Sequence, residues 1–425
     1  MAKDRKEIEN DILIEEMIGE EEDYEEYARL REEREGIRAR RARIEEEEER
    51  RQTGEYERRR EREAEEKRSR EEKRKLRVYE KRKMKKRHPV RNFLLTLFIM
   101  IIALAGAFLI FLRSRLQTVD SVDLENALQS SISQQVQGDK AMAGYQNIAL
   151  FGVDSREQDL LGGDNRSDTI MICSINKRTG EIRLVSVYRD TLMDIGGGDY
   201  RKCNAAYAFG GPQQAIAMLN RNLDLNITDF VTVGFEGLAE TIDALGGIDL
   251  EITEEEMEYM NSYMDDMYYE LGTEYDEVTD WGMQHLSGIQ ATAYCRIRYT
   301  EGDDFKRAQR QRTVLALTME KARSAGPLRL VAAANAALGR TATSLNTGEI
   351  FLFLLRARTM DISESTGFPS EEDRIFATIN GESCVVPYYL TTNVRNLHRT
   401  LFGEEDYAPS PTVEEINDIV NSYVN

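Results

Sequence analysis

Arginine binds phosphate oxygens through a planar fork of N–H donors, so clustered arginines at regular spacing are a signature of phosphate chemistry. The stretch YCRIRYTEGDDFKRAQRQR, Tyr294 to Arg312, concentrates Arg296, Arg298, Lys306, Arg307, Arg310 and Arg312. Arg296 and Arg298 alternate with Tyr294, Ile297 and Tyr299, the spacing of an extended segment in which both guanidinium groups leave one face. From Asp304 onward the spacing is helical. Asp304, Arg307 and Gln311 fall on one stripe, and Leu315 and Leu317 begin an apolar side. A solvated basic helix after an ordinary strand has the same local pattern, so the rest of the chain must decide.

Further candidates sit at strand ends. The apolar run Asn147 to Val153 leads into Asp154, Ser155 and Arg156. The following LGGDNRSD delivers Arg166 and Asp168 to the start of the next run, Thr169 to Ile175. A third run, Ile182 to Val187, ends in Tyr188, Arg189 and Asp190. Ligands of α/β sheets gather at strand ends, so these groups reach a single rim if the strands are parallel. Asp154 and Asp168 can share a hard divalent cation, for which magnesium, with manganese as its substitute, suits carboxylate plus phosphate oxygens. Taken singly, each has a plainer reading: Asp154 as a turn residue, Arg189 and Asp190 as a surface ion pair, Asn204 as the cap of the helix it begins.

The elements that would position these groups belong to a chain of 425 residues with a formal charge of −20. The charge is uneven. From Arg113 onward 27 Lys and Arg face 48 Asp and Glu, a balance of −21. Such an acidic part does not suit nucleic acid, and arginines clustered within it serve one local anionic ligand. Cys173, Cys203, Cys295 and Cys384 lie far apart with no metal-thiolate spacing, and read as buried thiols.

Residues 1–91 are almost uninterrupted charge without the apolar a and d positions of a coiled coil, and read as a helical or disordered cytoplasmic arm. The arm turns basic in KRKMKKRHPVR. Phe93 to Leu112 then supplies twenty uncharged residues, the length of a helical membrane span, and residues 92–113 read as that transmembrane helix. The basic flank keeps the arm cytoplasmic and places the remainder outside. A cleaved signal peptide is the alternative, against which the long charged leader argues. A polar linker, 114–144, precedes a domain over 145–425 in which strands alternate with helices, so the fold class is α/β with helices on the faces of the sheet. Asn204 to Leu223, the segment before Gly246-Gly247, Leu328 to Leu338, Gly348 to Arg358 and the terminal VEEINDIVNSYV read as helices. An acidic insert, 253–280, reads as an amphipathic helix or lid.

The series FGVDSR, NRSDTIMI, VSVYRDT, KCNAAYAFGG, DALGGIDLEI, LSGIQATAYCRIR and DDFKRAQRQR closely resembles the LytR-CpsA-Psr family of bacterial cell-wall glycopolymer ligases, from about Tyr145 to Arg323. That resemblance implies a central mixed β-sheet flanked by helices, behind one amino-terminal membrane span. It implies transfer of teichoic acid, capsular or other wall polymers from undecaprenyl diphosphate to peptidoglycan. By position, Asp154 and Asp168 fall where the family binds magnesium. Arg166, Arg189, Arg296, Arg298, Arg307 and Gln311 fall where it holds the lipid diphosphate, and Asp304 matches the acidic residue before the helical arginine. Family members usually carry proline where Tyr188 stands.

The expected reaction is attack by a muramic-acid 6-hydroxyl on the phosphorus bonded to the polymer sugar, with Asp154 as first choice of general base and Asp304 as the alternative. Two other readings remain at this level. One is a diphosphate hydrolase at the same site. The other is a membrane-tethered binding or regulatory protein whose charged arm engages a cytoplasmic partner.

Overall fold

The computed structural model describes residues 128–424 apart from 154–159, 162–164, 272–273 and 299–302, together with scattered positions before residue 128. Residues 1–98 and 99–425 form separate compact units. In the first, the described positions, among them Arg29, Arg43 and Glu71, are helical and exposed. Among the described residues no helix is long and apolar enough to cross a membrane; the run Phe93 to Leu112 lies outside them except for Ile99, Met100 and Gly106.

The strands, in chain order, are β1 (Gln117–Thr118), β2 (Tyr145–Val153), β3 (Ser167–Asn176), β4 (Glu181–Val187), β5 (Leu192–Asp194), β6 (Tyr200–Lys202), β7 (Asp229–Gly234), β8 (Ile248–Ile252), β9 (Gly282–Leu286), β10 (Thr341–Thr343), β11 (Asp361–Phe368), β12 (Arg374–Ile379) and β13 (Glu382–Pro387). Seven of them make one mixed sheet in the order β1-β10-β7-β2-β3-β4-β11. The β2, β3 and β4 strands form an antiparallel meander rather than a parallel set. The four-residue link between β3 and β4 leaves no room for the crossover that a parallel pair needs. The meander nevertheless returns the end of β2, the start of β3 and the end of β4 to one rim. The expected convergence therefore survives the change of strand direction.

Helices α1 (Ala205–Leu223), α2 (Phe235–Leu245), α3 (Glu254–Leu271), α4 (Gly288–Arg296), α5 (Asp303–Ser324), α6 (Pro327–Gly339), α7 (Thr347–Arg356), α8 (Leu390–Phe402) and α9 (Pro411–Ser422) complete the frame. Strand residues alternate between the two sheet faces, as period-2 geometry requires. Ala149, Phe151, Ile172 and Val185 join a core with Ala215 and Leu219 of α1, Val394 and Leu397 of α8 and Ile416 of α9. Ile148, Cys173, Ile182 and Leu184 face the other way, against Leu315 and Met319 of α5 and Ile350 and Phe353 of α7. Both faces are covered, so the strands read as near-continuous apolar runs.

A second core lies outside the sheet. The β8 strand pairs antiparallel with β9, beyond α3 in the chain, in a separate two-stranded sheet. That strand pair packs with Met260, Met264 and Met267 of α3 and with Ile289, Ala291 and Ala293 of α4. The acidic insert is thus a helix with one apolar side, as its composition indicated. Gly246 closes α2 in the left-handed region, φ 91°, where its N–H reaches Ile242 and Asp243 carbonyls. Asn204 stands at the start of α1 but makes no side-chain capping bond; it is buried instead. All four cysteines are free and buried.

Phe151, 1% exposed, meets Tyr207 edge to face at 5.1 Å between ring centroids, and the Tyr207 hydroxyl donates to the Leu160 carbonyl at 3.0 Å. Truncation leaves a cavity that rigid neighbours cannot fill. We expect Phe151→Ala to lower the unfolding free energy by about 3–5 kcal/mol in equilibrium denaturation.

Candidate functional site

Asp168, the second residue of β3, is where the charged groups meet. Its carboxylate accepts two hydrogen bonds from Arg189 Nη1, both 3.0 Å, and one from Arg298 Nη2 at 2.6 Å. Arg189 turns its Nε toward Asp304 Oδ2 at 3.2 Å. Asp304 in turn lies 3.0 Å from Arg307 Nη1, one helical turn further along α5. Arg307 Nη2 reaches back to the Asp168 carbonyl at 3.4 Å. Cations and carboxylates therefore alternate around a closed circuit, which is what allows several arginines to share a partly buried site.

Local structure explains how each arrives. Asp304, Arg307 and Gln311 share a stripe of α5, as their spacing indicated. Arg296 and Arg298 come by a different route from the extended segment expected for them. Ser287 accepts from the Gln290 N–H while the Gln290 side chain accepts from the Ser287 N–H, a capping box that starts α4. The helix then buries Ile289, Ala291, Ala293 and Tyr294. Burial of that face outweighs the strand-like alternation, so Arg296 ends the helix and Arg298 follows Ile297, whose ψ of 124° has left it.

Between these elements is a cavity of about 230 Å³. It is lined by Arg296, Arg298, Arg307 and Gln311, by Asp168 and Gly152 at the rim, and by residues from the insert. Gly152 is required by close approach, since a Cβ there would meet Thr169 Cβ at 2.8 Å. Arg296 lies over the rings of Phe235 (5.0 Å) and Tyr263 (5.8 Å). Gln311 Nε2 donates to the Cys295 carbonyl at 3.5 Å. Arg307 is 4% exposed, and its Nη1, though near Asp304, makes no hydrogen bond of acceptable geometry. Arg166 is exposed at the rim and does not line the cavity. Asp154 and Arg156 lie outside the described residues.

Three contributors, Tyr263, Asp266 and Arg374, carried no clear sequence signal. Tyr263 and Asp266 of α3 line the cavity; their i, i+3 spacing among charged neighbours resembled an ordinary solvated face. Asp190 pairs mainly with Lys202 Nζ, 3.2 Å, and only at 3.8 Å with Arg189. Arg374 of β12 stacks on Phe305 at 3.7 Å and on Tyr188 at 5.5 Å. Tyr188 and Phe305, themselves edge to face at 4.5 Å, adjoin Arg189 and Asp304 in the chain. Tyr188 has room because Gly367 lacks the Cβ that would overlap its hydroxyl, and its N–H donates to the Phe368 carbonyl at 2.9 Å.

Burial alone would raise the Asp304 carboxyl, but Arg307 and then Arg189 outweigh it and hold it below the usual range. Burial, reinforced by Arg189 and Arg298 and opposed by Asp304, brings Arg307 down to about 10, so it stays cationic at neutral pH. Burial likewise works against the charge on Arg189, yet Asp168, Asp304 and Asp190 together raise it. A depressed carboxyl stabilises the fold above its unfolded value of about 4 and loses that contribution as pH falls through the folded value. Asp304→Asn should therefore flatten the acid limb of a stability–pH profile, measured by denaturant unfolding between neutral and acid pH. Arg374→Ala should cost about 0.5–2 kcal/mol through lost cation–π contact in the same assay.

The chain matches the LytR_cpsA_psr family over residues 111–381. It is 33% identical over 184 residues to the polyisoprenyl-teichoic acid–peptidoglycan teichoic acid transferase TagU of Bacillus cereus (strain AH820), covering 42% of this chain and 53% of that one. It is 34% identical over 178 residues to TagU of Halalkalibacterium halodurans, covering 41% and 52%. The chain thus spans about half the length of these curated relatives. Its fold resembles that of protein gbs0355 from Streptococcus agalactiae, at 22% identity and a TM-score of 0.51, over 67% of this chain and 93% of the other. With its motifs in order and the matched region covering the sheet, the cavity and the arginine circuit, this chain belongs to the LytR-CpsA-Psr family.

Proposed function

We propose that this protein is a membrane-anchored phosphotransferase that moves a glycopolymer from undecaprenyl diphosphate to the muramic-acid 6-hydroxyl of peptidoglycan. The observation that carries the proposal is the cavity walled by Arg296, Arg298 and Arg307, with a buried Arg307 Nη1 that meets Asp304 at 3.0 Å without an aligned hydrogen bond. An anion with several oxygens, as a diphosphate has, would satisfy that donor and the flanking guanidinium groups together. The names of the relatives support the same substrate class.

The roles follow from charge and position. Arg298, Arg307 and Arg296 bind the diphosphate and offset the charge that grows on the departing polyprenyl phosphate. Gln311 orients one of its oxygens. Arg189, engaged by Asp168 and Asp304 at once, holds the two carboxylates apart and fixes the Arg298 fork. Arg166, at the exposed rim, meets the diphosphate as it enters. Attack by the sugar hydroxyl forms an O–P bond to the polymer phosphate, breaks the bond to the lipid phosphate and releases a proton to a carboxylate. Asp304 is poorly suited to take it, because its neighbouring arginines stabilise the ionised form. The base is therefore Asp154, the residue that follows β2 in the sequence.

The donor set suits a magnesium ion, with manganese as a substitute. A carboxylate offers about four lone-pair directions, and Asp168 uses three of them on Arg189 and Arg298. One direction is left for a cation that Asp154 would also hold and phosphate oxygens would complete. Bound there, it would supply further neutralisation of diphosphate charge.

The test is incubation of the full chain with an undecaprenyl-diphosphate-linked glycan, an uncrosslinked peptidoglycan oligomer and magnesium, followed by mass spectrometry. We expect a phosphodiester-linked adduct, lost in Asp154→Ala and lowered about 10²–10³-fold in Arg298→Ala. Free polymer phosphate without adduct would make the enzyme a hydrolase. Full activity in Arg298→Ala would remove the cavity from the mechanism.

A further inference from the structure

Helix α7 leaves a large apolar face uncovered. Phe351, Leu352 and Leu355 are 36%, 57% and 63% exposed. Their i, i+1, i+4 spacing puts them on one side, while Ile350 and Phe353 pack toward the sheet. The helix is firmly placed, since Asn346 and Glu349 form a capping box at its start. What borders the face is positive. Arg356, exposed, donates Nη2 to the Lys177 carbonyl at 2.9 Å, and this brings the β3–β4 turn with exposed Lys177 and Arg178 against the end of the helix. The carboxylate of Glu349 is turned away, accepting from the Asn346 N–H at 2.8 Å. In a region whose overall balance is strongly acidic, an apolar face rimmed by cations matches an anionic lipid surface.

Chain length says why that surface is within reach. Strand β1 pairs with β10, Gln117 beside Ala342, and β10 is followed within four residues by α7. The apolar run ends at Leu112, five residues before Gln117, so at most about 18 Å of extended chain separates the run from β1. Three exposed side chains fall well short of the roughly 800 Å² per partner of a stable protein interface. A tethered domain needs only weak affinity, because the tether supplies a high effective concentration.

We infer that the Phe351, Leu352 and Leu355 face of α7 docks on the outer surface of the anionic bilayer that anchors the chain. The inference rests on reading Phe93 to Leu112 as a membrane span. The Arg356, Lys177 and Arg178 cations engage lipid headgroups, and docking sets the orientation of the domain above the bilayer.

The experiment uses the full chain in vesicles containing phosphatidylglycerol and brominated acyl chains, with the single tryptophan removed by Trp281→Phe. One probe is introduced by Leu352→Trp and a control by Phe209→Trp, an exposed position on α1 across the sheet. Resistance to alkaline carbonate extraction reports insertion separately. Inserted protein whose probe at 352 is quenched several-fold more than the probe at 209, with the excess reduced in phosphatidylcholine alone, is the expected result. Equal quenching in inserted protein overturns the inference and leaves the span intact. A blue-shifted but unquenched probe at 352 overturns it in favour of a second copy covering the face. Release by carbonate overturns the span and the inference together.

Discussion

Several arginines can occupy one half-buried site only if carboxylates are interleaved with them, and the Asp168 and Asp304 side chains meet that requirement here. Each carboxylate faces two guanidinium groups, Asp168 bonding to Arg189 and Arg298, Asp304 contacting Arg189 and Arg307. Arg189 is shared, so loss of either carboxylate would strand a charge that burial penalises. The circuit also sets the demand on the fold. It needs the end of β4, the start of β3 and the first turns of α5 at one rim, and the antiparallel meander with its covering helix delivers them.

Behind the circuit is an apolar and cationic brace. Tyr188 and Phe305 each stand one residue from a member of the circuit, and Arg374 lies over both rings. The C-terminal hairpin that carries Arg374 also binds the strand-end loop directly, with the Val385 N–H donating to the Asp190 carbonyl at 2.9 Å. Backbone and side chains thus restrain Arg189 from the same direction. Tyr188 keeps the loop in place by filling the space above Gly367.

The cavity belongs to both cores. One wall comes from the main sheet at Gly152, Asp168 and Thr169, and the other from the insert helix at Tyr263 and Asp266. The insert side is anchored by buried methionines and by Arg310, which donates to Glu256 at 2.9 Å and to the Ile297 carbonyl at 3.3 Å. Arg310, in the same basic run as Arg307, is therefore committed to joining α5 with α3 and the end of α4. Arg307 and Arg310 stand three residues apart, as neighbours on one side of α5, and take different work through their partners: Arg307 meets Asp304 and the Asp168 carbonyl, Arg310 meets Glu256 and the Ile297 carbonyl.

Much of the site is legible in the linear chain because the relevant order is local. The stripe of Asp304, Arg307 and Gln311 is a property of helical spacing, and Asp168 and Arg189 announce themselves by standing where apolar runs begin and end. Family resemblance extends the reading to the remaining arginines. The direction of the strands, the helical state of Tyr294 to Arg296 and the participation of Tyr263, Asp266 and Arg374 were settled only by the tertiary structure. In each of these cases the deciding contact joins residues far apart in the chain: the α4 helix is held by packing on α2 and α3, and Arg374 meets a ring some seventy positions earlier. Local propensity and charge pattern determine which segments are apolar, helical or cationic; which of them face one another is decided by burial of their apolar sides, which has no signature in sequence spacing alone.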